Sequence, residues 1–240
     1  MAGRDGLSGN AGRSAVTVRR TFSRVAISPM LTVLSAASFA AYLYGSVPYA
    51  YIAARVLRKK NLAVEGTGNI GVTNAFKVAG PSVGIITIAG EISKAILPIL
   101  AARCFFTDVP QAAYLLVFFS LVGTSFSVFL KGKGGKGTTA GLWSLLMLSP
   151  WSCLIMLATC AVFLNLAKWA PRIKRAPLLL LPAVMYLVEG DVLFTLFGIM
   201  TAVLFFLNHY RRKDDYRYYG IFQGGRDSAD RKGPGAAGHT

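Results

Sequence analysis

Three short stretches carry residue types that could handle a phosphate. The first is EGTGNIGVTNAFK, Glu65 to Lys77. Gly66, Gly68 and Gly71 follow a GxGxxG spacing, and Glu91 lies twenty positions beyond Gly71, which is how a dinucleotide-binding turn is written. Such a turn needs a buried strand before the glycines and alternating strands and helices around it. RKKNLAVE before Gly66 offers no strand, and Glu91 sits within an apolar run where it could not reach a ribose held at the loop. The spacing is therefore read as coincidental for nucleotide binding. The glycines admit positive backbone dihedrals, and neighbouring N–H groups can then form a concave nest for an anion. Thr67, Asn69, Thr73 and Asn74 add side-chain donors to the same stretch. For any one of these residues an ordinary polar loop is the alternative.

The second stretch is KGKGGKGTT, Lys131 to Thr139, with Gly134, Gly135 and Gly137 around Lys136 and with Thr138 at the mouth of a helix. Free N–H groups at a helix N-terminus bind phosphate, and lysine adds a point charge. No GK[ST] closes the spacing of a nucleotide P-loop, and a cytoplasmic loop made flexible by glycine is the alternative. The third feature is Glu91 with Lys94. A charge at the centre of a membrane helix costs about 2.5 to 3.5 kcal/mol on insertion scales, so such residues are functional candidates. Three apart, they share a helix face and neutralise each other, as a purely structural ion pair would. His209, one of two histidines, stands where the last apolar run ends. Cys104, Cys153 and Cys160 form no CxxC pair and have no histidine in metal spacing, so neither a metal nor a cofactor is expected.

The elements that position these groups are apolar. Of 240 residues, 54% are hydrophobic and 15% charged, and the mean hydropathy is +0.50, more apolar surface than a soluble domain of this size can hide. The long runs are Met30 to Leu57, Val83 to Ala102, Ala112 to Leu130, Thr139 to Ala167, Leu178 to Val188 and Val192 to Leu207. A straight span takes about 20 apolar residues. The SPW at Ser149 to Trp151 splits the fourth run in two, and EGD at Glu189 to Asp191 separates the last two, so seven transmembrane helices are expected in an all-α polytopic fold.

Basic residues cluster at Arg58 to Lys60 and Lys77, at Lys131 to Lys136, at Lys168 to Arg175 and at Arg211 to Arg217, while the opposite loops hold Arg103, Asp108, Glu189 and Asp191. This bias puts the basic loops and the C-terminus in the cytoplasm and the N-terminus outside. The five arginines between Arg4 and Arg24 run against that rule. Charge of +16, from 26 Lys and Arg against 10 Asp and Glu, is thus read as topological and anion-directed, not as a sign of nucleic-acid binding. Residues 1–28 and 214–240 are poor in core formers and are read as disordered tails flanking one domain over 29–213.

With these residues assembled, the sequence resembles the PlsY family of acyl-phosphate-dependent glycerol-3-phosphate acyltransferases, from about Ala41 to Arg212. AYLYGSVPYA resembles the family's Gly-Ser motif, GTGNIGVTN its GSGNxGATN loop, and KGGKGTT its KGGKGVAT loop, in the same order. The resemblance implies seven helices in the bacterial plasma membrane, and transfer of an acyl group from acyl phosphate to the 1-hydroxyl of glycerol 3-phosphate. Lysophosphatidate and inorganic phosphate would be the products; a monomer is one possible state, and the sequence leaves the oligomeric state open. It implies catalytic roles for Lys136, Thr67, Lys77 and His209. Ser46, Gly66, Gly68, Asn69, Gly71, Thr73, Asn74, Glu91, Lys94, Gly134, Gly135, Gly137 and Thr138 would bind substrate phosphate. Departures from the pattern are Thr67 for Ser, Lys77 for Arg, Glu91 for Asp, Thr124 where a His follows Gly123, no Arg before the GTGN loop, and HYRR for His-Arg-Glu-Asn. A different donor or phosphorylated acceptor, and an organic-phosphate transporter, remain as alternative readings.

Overall fold

The computed structural model describes residues 29–166, 176–211 and 215–219. The expectations placed on residues 1–28, on Lys168, Arg172, Lys174 and Arg175, on Arg212 and Lys213, and on 220–240 lie outside the described residues. Within them the chain is helical. Helix α1 covers residues 29–45, followed by α2 Tyr49–Arg58, α3 Val72–Ala79, α4 Pro81–Phe105, α5 Ala112–Ser125 and a 3₁₀ turn at Val128–Leu130. Then come α6 Thr138–Leu148, α7 Pro150–Leu166, α8 Ala176–Glu189, α9 Val192–Arg211 and α10 Asp215–Tyr219.

Four segments are long and apolar enough to cross a membrane: Pro29–Arg58, Pro81–Phe105, Ala112–Leu130 and Val192–His209. Three shorter apolar helices, α6, α7 and α8, accompany them. The outer face is apolar as well: Leu187 is 81% exposed and Phe105 80%. Side chains of this kind facing outward are what a hydrocarbon solvent selects.

The first apolar run, expected as one span, bends after α1. Pro48 has no amide to continue the helical ladder and its ring would meet the carbonyl four residues back, so residues 46–48 leave the helix and Pro48 opens α2. The bend carries Ser46 into the protein interior, where it is buried. Close packing then locks the bend onto α5. A Cβ on Gly45 would collide with the Ser120 carbonyl, and one on Gly123 would collide with the Tyr42 carbonyl. The breaks at SPW and EGD occur as expected. Ser149 closes α6 and its hydroxyl accepts from the Ser152 amide, while Asp191 caps α9 by accepting from the Leu193 and Phe194 amides.

Helix α4 is the spine and packs against α2, α3, α5 and α6. At 25 residues it is about 37 Å long, more than the roughly 30 Å of a hydrocarbon core. Ile99, Val117, Leu121, Leu145, Met185 and Phe194 belong to the main buried cluster. A second cluster, with Leu62, Ile70, Ala75 and Val83, packs the GTGN loop between α2, α3 and α4.

The one correction to the domain layout concerns its C-terminal edge. The packed domain was expected to close at residue 213, but Asp215–Tyr219 form a helix whose Asp215 is 5% exposed. A carboxylate from a polar segment tolerates that burial because it meets a cation and two further donors.

Candidate active site

The GTGN loop is braced from within. Asn74, fully buried on α3, accepts from the Thr67 amide at 3.1 Å and donates to the carbonyls of Leu62 and Glu65. Its Oδ1 also accepts from the Tyr219 hydroxyl. Burial pushes the Tyr219 phenol above its ordinary value, which keeps it a donor there. With all four contacts internal, Asn74 shapes the loop. Gly66 adopts φ +61°, and a Cβ there would strike Tyr219 and Asn74. Outside the brace, Glu65 accepts from the Asn61 amide at 2.6 Å and pairs with Lys60 at 3.3 Å. The amide's hydrogen bond, ahead of Lys60, draws the carboxyl below the ordinary glutamate value.

Asp215 joins this loop to the lysine loop. Its Oδ1 accepts from Thr67 Oγ1 at 2.6 Å, and its Oδ2 accepts from Asn69 Nδ2 and from Lys136 Nζ, both at 2.9 Å. A carboxylate held by a cation and two neutral donors is a charge-assisted clasp. The backbones approach just as closely. The Gly135 amide donates to the Thr124 carbonyl at 2.8 Å, and a Cβ on Gly135 would sit 2.7 Å from the Ile70 carbonyl. Glycine at 135 therefore serves close approach between loops. Gly137, at φ +76°, turns the chain into α6.

Below the clasp a narrow pocket enters the helices, lined among others by Ser46, Tyr49, Glu91, Lys94, Thr124 and the Gly134–Gly135 backbone. Lys94 Nζ donates to Glu91 Oε1 at 3.0 Å and lies 5.5 Å from the Tyr49 ring centre. Both members of the pair are buried. Among the described residues Glu91 is the one hydrogen-bond acceptor for that ammonium, which has three donors to offer in a side chain that lines the pocket. Ser46 Oγ donates to the Tyr42 carbonyl, and Ser127 Oγ donates to the Ser46 carbonyl. Thr124 Oγ1 lies within reach of the Ser120 and Gly45 carbonyls, so its hydroxyl hydrogen is engaged by backbone.

A family model described as glycerol-3-phosphate acyltransferase matches residues 35–217 of this chain. The chain belongs to the glycerol-3-phosphate acyltransferase family. A family protein of Pelagibacter ubique, named glycerol-3-phosphate acyltransferase, is 31% identical over 172 residues, 72% of this chain and 87% of that one. One of the same name from Endomicrobium trichonymphae is 30% identical over 168 residues, 70% and 84% of the two chains. In fold the chain is similar to the crystal structure of PlsY (YgiH), an integral membrane glycerol 3-phosphate acyltransferase, in its glycerol 3-phosphate form. The TM-score is 0.62 at 22% identity, covering 75% of this chain and 89% of that one.

The family motifs thus form two connected centres here. Thr67, Asn69, Asn74, Gly66 and Lys136 gather at the clasp; Ser46, Glu91, Lys94, Gly134 and Gly135 gather at the pocket. Thr73 is half-buried on the first turn of α3 and Thr138 is exposed on the first turn of α6. Lys77 is exposed in the last turn of α3, away from both centres' hydrogen bonds, and His209 is half-buried in the last turn of α9. Gly68 takes φ +70° and Gly71 precedes α3. Asp215 was missed by the sequence reading. The signal available was a lone acidic pair, Asp214 and Asp215, in an otherwise basic segment.

Proposed function

We propose that this family member is an integral-membrane enzyme that transfers a fatty acyl group from acyl phosphate to the 1-hydroxyl of glycerol 3-phosphate. Attack by the hydroxyl oxygen on the acyl carbonyl forms the new ester and breaks the C–O bond to phosphate. The phosphate leaves with the hydroxyl proton, so lysophosphatidate and inorganic phosphate balance without a cofactor. The observation that carries this reading is the adjacency of two lysine-bearing centres. Gly134 and Gly135 line the Lys94 pocket, and the next residue is Lys136. Two substrates that each bear a phosphate need two such centres close together. The lysines act by position and charge, holding phosphate and offsetting charge that develops on the carbonyl oxygen.

In the proposed topology seven helices cross the bacterial plasma membrane, with the N-terminus outside. The two glycine-rich loops and the C-terminal segment face the cytoplasm, as their basic residues favour. The acyl chain would come from the bilayer side, consistent with the apolar outer face.

The test uses membranes containing the full chain, palmitoyl phosphate and labelled glycerol 3-phosphate, with Lys136→Ala membranes as control and palmitoyl-CoA as rival donor. Labelled lysophosphatidate that requires acyl phosphate and Lys136 is the expected result. Product with palmitoyl-CoA alone would redirect the donor assignment, and no product above control would overturn the reaction.

A further inference from the structure

We propose that the Asn208 carboxamide recognises the 2-hydroxyl of glycerol 3-phosphate, an inference that rests on the acyl-transfer reading above. Asn208 is 1% exposed, and among the described residues neither its Nδ2 nor its Oδ1 has a hydrogen-bond partner. Among the described residues it is the one side chain with two separate polar atoms left unmet, the carboxamide nitrogen and oxygen. The orphaned hydroxyls of Ser125, Ser152 and Thr201 are a lesser problem. A hydroxyl rotor on a helix can turn to a carbonyl of its own helix, whereas a carboxamide cannot satisfy both of its ends in that way. A buried group of this type calls for an occupant.

Its place in the fold points to the site. Three residues before it, Phe205 packs over the Gly137 turn, 3.2 Å from where a Cβ there would be. Three residues after it, the Arg211 guanidinium lies 4.7 Å from the centre of the Phe126 ring. These two contacts flank Asn208 on the same side of α9 and set its stretch of the helix beside the junction between the end of α5 and the start of α6. Ser125 Oγ, itself unpartnered, is 3.3 Å from the Cβ position of Gly137 at that junction. The preceding residue is Lys136. No side chain caps the N-terminus of α6, so its first N–H groups open toward the same place.

The chemistry of the occupant follows from the carboxamide. It offers one acceptor and two N–H donors, so its complement donates and accepts from one atom, as an alcohol does. Acyl phosphate presents only acceptors. Glycerol 3-phosphate carries two hydroxyls, and the 1-hydroxyl is consumed in the reaction, which leaves the 2-hydroxyl.

The experiment compares glycerol 3-phosphate with 3-hydroxypropyl phosphate, which keeps the reacting hydroxyl and lacks the 2-hydroxyl, on wild type, Asn208→Leu and Asn208→Ala. Wild type should favour glycerol 3-phosphate by about 10- to 100-fold in kcat/KM, the usual cost of leaving a buried polar group unpaired. In Asn208→Leu that ratio should fall to near one. Without substrate, Asn208→Leu should unfold at the same temperature as wild type or higher, because it removes a group the protein leaves unsatisfied. A wild-type ratio near one, or an unchanged ratio in the variants, overturns the proposal. So does a lower unfolding temperature in both variants without ligand, which would reveal a structural role. Protection against thermal unfolding by each phosphate reads the same ratio without turnover. An inactive wild type therefore sinks the acyl-transfer reading, and the protection ratio still decides for Asn208.

Discussion

Lys136 and Asp215, 79 residues apart in the chain, meet at 2.9 Å and fasten the C-terminal segment to the lysine-bearing loop. Through Thr67 and Asn69 the same carboxylate also fastens the GTGN loop. The spacing between the two loops is therefore set by a residue outside both.

Asp215→Ala should cost both stability and turnover. Breaking a buried ion pair from one side costs about 3 to 5 kcal/mol, and the 14% exposure of the Lys136 side chain places this pair toward the lower end. A chain ending after Lys213 should show a loss of thermal stability in detergent at least as large, since Tyr219 and its bond to Asn74 go too. Asp215→Asn keeps the shape and one acceptor, and should fall between wild type and Asp215→Ala.

Gly45→Ala and Gly123→Ala each drive a methyl into a backbone carbonyl across the α1–α5 contact. Overpacking of a closed interface costs about 1 to 3 kcal/mol. Lower unfolding temperatures for both variants are expected. Their effects should combine less than additively, because the first substitution already separates the helices that the second would push apart.

Lys94 and Glu91 can be tested as a pair. Lys94→Met alone leaves a buried carboxylate without its cation and should yield little folded protein. Adding Glu91→Leu should restore folding, because an apolar pair replaces the ionic one, yet acyl transfer should stay absent if Lys94 holds substrate. Recovery of turnover together with folding would make the pair purely structural.

Glu65 supplies a pH dependence. Its folded carboxyl lies below the ordinary glutamate value, chiefly through the Asn61 amide. The bond is therefore fully present above the unfolded value and is lost as pH falls through the folded one. Hydrogen exchange at the Asn61 amide, corrected for intrinsic rate, should show protection that fades in that acidic window. Glu65→Gln should remove this pH dependence.

Much of the architecture could be read locally. Hydropathy belongs to consecutive residues, so the apolar helices and the breaks at Ser149 to Trp151 and Glu189 to Asp191 follow from the chain itself. The bend at residues 46–48 had its signal in Pro48, but the largely apolar run from Met30 to Leu57 read as one span. Among motif residues, type and order pointed to phosphate handling at Thr67, Asn69, Lys94 and Lys136; Lys94 pairs with its near neighbour Glu91, whereas Asp215, the shared partner of the other three, came from far along the chain.

The sequence by itself determined a helical membrane protein with two glycine-rich cationic loops, because backbone satisfaction in hydrocarbon and the cost of buried charge act on each segment separately. Tertiary structure alone decided that Asp215 clasps Thr67, Asn69 and Lys136, that Asn74 braces a loop, and that Asn208 is buried without a partner among the described residues. Those outcomes depend on which groups meet across long separations, 148 residues for Thr67 and Asp215. A hydrogen-bonding side chain carries no local mark of whether its partner is protein, water or substrate.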